Sequence, residues 1–199
     1  MTSINHLAAA AVTALDCLGC GQDDRVLVLC NEPQRAIAEA LAAAARPRAG
    51  AVRLMQYPTL SRSGEEPPAS VAQAILEASV VLASTAYSIS HTQARLAATA
   101  AGARIAGMCS LNPAIFARAM RVDYAQLGMR GARTAAALTA AVTCRITSTA
   151  GTDVFLRVEG RAGVADDGNL RHPGAFGNLP AGEAYVAPLE TVGDGTIGL

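Results

Sequence analysis

The chain has 199 residues, room for one domain or one domain and part of a second, and for a sizeable core. Hydrophobic residues make up 51% and charged residues only 16%, so the sequence is built to bury surface. Its 16 basic residues, all Arg, balance 16 acidic ones, which leaves no electrostatic footprint for nucleic acid or an anionic membrane.

No apolar run reaches membrane-spanning length, and no basic stretch followed by a secretory apolar core opens the chain, so the cytoplasm is the expected compartment. Five Cys at scattered positions argue against a disulfide framework.

Ser3 is suited to cap a first helix in which Leu7, Ala11, Leu15 and Leu18 share one face. Gly19-Cys20-Gly21 ends it. Cys17 and Cys20 spell C-x-x-C, but a redox pair normally opens a helix and this one closes it, so it reads as coincidence. Residues 25–30 (Arg-Val-Leu-Val-Leu-Cys) are a continuous apolar run, the mark of a strand buried on both faces. Asn31 and Pro33 then predict a helix start, with Ile37, Ala38, Leu41 and Ala45 as its stripe. A second strand is predicted over 51–56. No Gly-x-Gly-x-x-Gly separates the first strand from its helix, which excludes a dinucleotide fingerprint.

A polar loop over 58–68 carries Glu65 and Glu66. A helix over 69–78 leads to a strand over 80–83. Ser90 is the expected cap of a helix running to 101, followed by a strand over 103–107. Asn112-Pro113 starts a short helix and Asp123 a longer one to about 141. Strands alternating with helices predict an α/β domain over 1–141, a mostly parallel sheet flanked by helices. From 142 the style changes to strands over 142–148 and 154–159 around a turn at 150–153. Residues 142–199 therefore read as the opening of a β-rich second domain, incomplete in itself.

Ligands of such sheets gather at the carboxyl ends of the strands. That edge collects Asn31, the 84–91 loop and Cys109-Ser110. His91 is the candidate catalytic side chain there, read as a substrate or transition-state contact. Its bland alternative is a capping or packing role. Cys109 as a nucleophile would need a nearby base. His172 and Glu183 alone do not make a metal site, which takes three or four ligands. Asp166-Asp167-Gly168 and Asp153 read as turn chemistry.

One stretch is more specific. Asn178-Leu179-Pro180-x-Gly182-Glu183, then Ala187-Pro188 and Gly195-Thr196-Ile197, closely resembles the M29 family of metal-dependent aminopeptidases. The likeness extends through Gly151-Thr152-Asp153 and 165–168, and more loosely to Asp123-Tyr124, Ser90-His91-Thr92 and 65–68. The resemblance implies release of N-terminal amino acids from peptides by two metal ions, zinc, cobalt or manganese, with Glu183 as a metal ligand. The family's second Glu and its His/Asp ligands have no equivalent here, so the expectation is an aminopeptidase-like metallohydrolase that is truncated or inactive as this chain. Two alternatives stay open. One is a related metal-dependent ring-opening dioxygenase of dihydroxypyridines, which also matches around His91 and does not need Glu183. The other is a non-catalytic α/β binding or assembly module. The expected partners are a peptide or small-molecule substrate and, through an unfinished strand edge, a second copy in a homodimer.

Overall fold

The computed structural model describes residues 4–190 and 193–198; the cap expected at Ser3 lies outside them. Helix α1 (Ile4–Cys17) buries Ala10, Ala11, Ala14 and Leu15. It ends as the glycine predicts. Gly19 takes φ +58°, Cys20 N–H bonds Leu15 O at 3.1 Å, and Gly19 N–H bonds Asp16 O at 3.1 Å, closing a Schellman motif.

The apolar runs become strands: β1 (Arg25–Cys30), β2 (Ala51–Gln56), β3 (Val80–Ser84) and β4 (Arg104–Gly107). Helices α2 (Arg35–Ala45), α3 (Ala69–Glu77) and α4 (Gln93–Ala100) make the crossovers, and α5 (Pro113–Ala119) follows β4. The order is β2-β1-β3-β4-β8, where β8 is Phe176–Asn178, and every pairing is parallel. β3 is buried throughout, and β1 everywhere but at Arg25, as continuous apolar runs require. Helix α1 lies against α2 and α5, and α3 against α4. On the α3–α4 face, Leu27, Leu29, Val81, Ala83 and Ile105 meet Val71, Ile75 and Ala98 in one apolar cluster.

Contacts divide the chain into two units: Met1–Val122 with Gly168–Ala181, and Asp123–Asp167 with Gly182–Leu199. The sequence reading puts the change of style at 141. The contacts group α6 (Tyr124–Ala140) with the strands after it, because α6 packs on β7 (Val164–Asp166) and β9 (Glu183–Tyr185). Asp123 caps α6, accepting from Ala125 N–H and Gln126 N–H. The same unit holds the antiparallel hairpin β5 (Thr143–Thr147) and β6 (Asp153–Arg157), extended by β10 (Gly193–Thr196). Asp153, expected in a turn role, instead forms a two-pronged 2.8 Å pair with Arg145 on the facing strand.

At the amino edge of the parallel sheet one carboxylate collects four elements. Asp24, buried, accepts from Gly21 N–H at 2.8 Å, from Ser79 Oγ at 2.8 Å and from the Arg104 guanidinium. Arg104 also donates to Leu18 O at 2.6 Å and Gly19 O at 3.1 Å, the end of α1. Burial pushes the Asp24 carboxyl up, but the bonds from Gly21, Arg104 and Ser79 outweigh it and hold the group below its ordinary value.

Removing one partner of a buried pair strands the other charge, so Arg104→Met should cost about 3 kcal/mol in urea unfolding at neutral pH. Adding Asp24→Asn should recover part of that loss. Because the folded pKa of Asp24 is lowered, its stabilisation is complete above the unfolded value and is lost as pH falls through the folded one. Asp24→Asn alone should therefore lose less stability than the parent between about pH 5 and pH 2; equal acid limbs would show that Asp24 does not carry this term.

Candidate functional site at the carboxyl edge

The strand order reverses direction between β1 and β3, the point where doubly wound sheets hold ligands. Asn31, next after β1, was expected to cap a helix. It makes no side-chain cap. Its amide is buried, donating to Tyr57 O at 2.9 Å and Pro58 O at 3.4 Å, and accepting from Ala86 N–H at 2.8 Å. One side chain thus ties the exits of β1, β2 and β3. Beside it, Ser84 Oγ and Gln34 Oε1 are buried without a hydrogen-bond partner among the described residues. Each such atom costs about 1–3 kcal/mol unless a water or ligand group meets it.

The loops beyond β2 and β3 are stitched together. Gly64 N–H bonds Ser88 O at 2.9 Å, and Ser88 N–H bonds Ser63 Oγ at 3.2 Å. Thr85 Oγ1 donates to Tyr87 O at 2.7 Å, and the Ser88 and Ser90 hydroxyls lie 2.6 Å apart. Behind β4, Ser110 sits in the left-handed region at φ +57°, a conformation that costs a non-glycine residue energy. Its N–H bonds Thr85 O at 2.9 Å and its hydroxyl bonds Ala86 O at 2.7 Å, so it braces the same loop.

The cap of α4 is Thr92 rather than Ser90: Thr92 Oγ1 accepts from Arg95 N–H at 3.2 Å and donates to Ile89 O at 2.8 Å. Glu66 adds a carboxylate at the same helix end, accepting from Gln93 N–H and, at 3.2 Å, from Ala94 N–H, where the helix dipole favours negative charge. Glu65 turns the other way, and hydrogen bonds from Ser61 hold its carboxyl below the usual value. With its helix capped by others, His91 is left exposed and makes no hydrogen bond or ion pair among the described residues. Tyr87 stands exposed on the same loop. Cys109 is exposed and free.

Glu183 lies in the other unit. It opens β9 opposite Asp166 of β7, exposed, with no hydrogen bond or ion pair of its carboxylate among the described residues. The glycine before it suits the backbone there: Gly182 has φ +133°, a conformation that residues with a side chain rarely adopt, and it lies against the flexible end of Leu127 on α6. His172 is exposed in the first unit; of the other candidates the sequence offers, Asp166 faces Glu183 across the β7–β9 pair. Among the described residues no group of three or more His, Cys, Asp or Glu could hold a metal ion. Cys17 is buried and Cys20 half-buried with its thiol pushed up by burial, against a redox role for C-x-x-C. No described helix is long and apolar enough to cross a membrane.

Residues 6–199 match the family described as NicX: 2,5-dihydroxypyridine 5,6-dioxygenase, and the chain belongs to that family. A comparison with curated proteins gives no match. The structure of 2,5-dihydroxypyridine dioxygenase from Pseudomonas putida KT2440 is similar at a TM-score of 0.75 and 19% identity, covering 99% of this chain and 60% of that one. Wild-type AmpT from Thermus thermophilus is similar at 0.64 and 15%, covering 96% of this chain and 63% of that one. At these identities the likeness is one of fold. The chain spans about three-fifths of the length of both proteins. The family implies a metal cofactor, which the described residues do not fit.

Zinc, cobalt or manganese titrated into the protein should therefore bind more weakly than micromolar in calorimetry, since one exposed carboxylate cannot replace a fixed ligand set. Tight stoichiometric binding that disappears in Glu183→Gln would overturn this.

Proposed function

We propose that this protein carries the substrate-recognising α/β part of a dihydroxypyridine ring-opening dioxygenase, with iron as the metal of the complete enzyme. The observation that carries the reading is the family match over residues 6–199. The geometry is in keeping with it. The carboxyl edge presents exposed His91 and Tyr87 on a loop braced by Asn31 and Ser110, with donors and acceptors suited to a hydroxylated heteroaromatic ring. In this reading His91 meets a ring hydroxyl or the ring nitrogen and orients the substrate. Because the described residues hold no metal cluster, no bond-breaking step is assigned to them.

The aminopeptidase reading keeps one specific support, the motif that ends in Glu183, together with the shared fold of AmpT. The two separate by ligand. Anaerobic titration with 2,5-dihydroxypyridine, followed by amide NMR, should perturb residues 57–66, 84–92 and 109–112. His91→Ala should weaken that binding about tenfold, the worth of one good hydrogen bond. Perturbation by leucinamide instead, centred on 182–185, would sink the dioxygenase reading in favour of the peptidase.

We propose in addition that the protein self-associates through the second unit. That unit buries few apolar side chains, Ala135 and Val158 among them, while Ile146, Phe155, Tyr185 and Ile197 are exposed. Light scattering at micromolar concentration should report more than the 20.2 kDa of one chain, and Ile146→Glu with Phe155→Glu should lower it. A monomer in the parent protein would refute this.

A further inference from the structure

The parallel sheet ends in a strand of three residues on the β8 side and in one of six on the β2 side. Short, charged or proline-bearing edge strands guard a sheet against pairing with other chains. β2 is long, holds no proline and carries a single charge, Arg53. Its free backbone groups can be named. Ala51 N–H bonds Asp24 O at 3.2 Å and Tyr57 N–H bonds Cys30 O at 3.1 Å, so the odd-numbered residues turn their amides toward β1. Successive residues of a strand turn theirs to opposite sides. Val52, Leu54 and Gln56 therefore present N–H and C=O at the open edge, where no described residue pairs with them. Their side chains lie on the face opposite Met55, which packs into the α3–α4 cluster, and Leu54 is 38% exposed.

A second β2 set antiparallel about a twofold axis through Leu54 matches every one of these groups. Leu54 then faces Leu54, and Val52 faces Gln56 in both directions, so each outward N–H meets an outward C=O. Arg53 faces Met55, and no charge stands directly opposite its like. Other registers fit less well. An axis at Arg53 sets two guanidiniums opposite each other. One at Val52 carries Leu54 past the start of the strand at Ala51. One at Met55 brings Pro58, which has no N–H, against Val52. The edge is thus complementary to itself in one register, as a twofold contact requires.

We propose that β2 pairs with β2 of a second copy of this chain, antiparallel about Leu54, and joins the two parallel sheets into one. Antiparallel strands at the edge of a parallel sheet are common, and main-chain hydrogen bonds supply the affinity of strand addition. One strand makes a small interface, so the pairing is transient. It lies in the first unit and does not depend on the self-association proposed for the second.

The test is disulfide trapping in the full chain carrying Ile146→Glu and Phe155→Glu, which remove the second-unit contact, and Cys109→Ser, which removes the exposed thiol. Facing residues of a hydrogen-bonded antiparallel pair have Cα atoms about 5.5 Å apart, within the span that a disulfide bridges. Under mild oxidation Leu54→Cys should link into a dimer. Val52→Cys should not, because Gln56 is its opposite, but a mixture of Val52→Cys and Gln56→Cys chains should link again. In sedimentation of the same background, Leu54→Glu sets two carboxylates directly opposite and should weaken the dimer about tenfold. Circular dichroism should be unchanged, since that side chain is exposed. No trapping at 54, equal trapping at 52 and 54, or a dimer indifferent to Leu54→Glu would each overturn the proposal. Each of these would leave the second-unit contact standing, because light scattering of the parent protein tests that one.

Discussion

The parallel sheet hangs from the Asp24–Arg104 ion pair. A carboxylate in that position is tolerable only because a backbone amide, a hydroxyl and a guanidinium all meet it. In meeting it they fix where β1, β3 and β4 begin and where α1 ends. The guanidinium is shared with two carbonyls at the end of α1, so the helix cannot shift without breaking the ion pair's surroundings. A sheet anchored in this way at one edge can carry long, irregular loops at the other. Asn31 performs the neutral counterpart there, holding three strand exits with one amide.

Much of this scaffold is visible in the residues. β1 and β3 are uninterrupted apolar runs, and a strand covered on both faces can be written in few other ways. Asn112 and Asp123 are read correctly as caps because each is followed at once by a helical stripe. Other features escape for physical reasons. Ser88, Ser90 and Thr92 all have the chemistry of a cap, and only the path of the backbone selects Thr92. Glu66 reaches the same helix end from 27 residues away, a distance no local pattern spans. Asn31 before Glu32-Pro33 has the form of a cap, but tertiary partners offer its amide three better bonds. β8 is three residues with a glycine in the middle, and its place beside β4 is set by the sheet it joins.

The candidate site divides along the same line. The carboxyl edge was legible because strand ends gather whatever the topology allows, and His91 is indeed exposed on one of its loops. Glu183 was legible through its motif, and Gly182 shows why that motif holds its shape: its backbone angle disfavours any side chain. No spacing could reveal that His91 and Glu183 belong to different units. Family membership and the Gly-Glu motif therefore inform different parts of the molecule, the first its whole length and the second a single strand.

The position of β8 has a consequence for biosynthesis. Its partner β4 is made early, at residues 104–107, whereas β8 is residues 176–178, and all of α6 and the β5–β6 hairpin lie between them. A ribosome has to translate that whole insertion before the fifth strand exists. Until then the nascent chain displays β4 as an open edge, the exposed state in which strands pair with wrong neighbours. The first unit is thus completed only after most of the second has been made, and the speed at which the ribosome crosses 123–175 sets how long that edge stays uncovered.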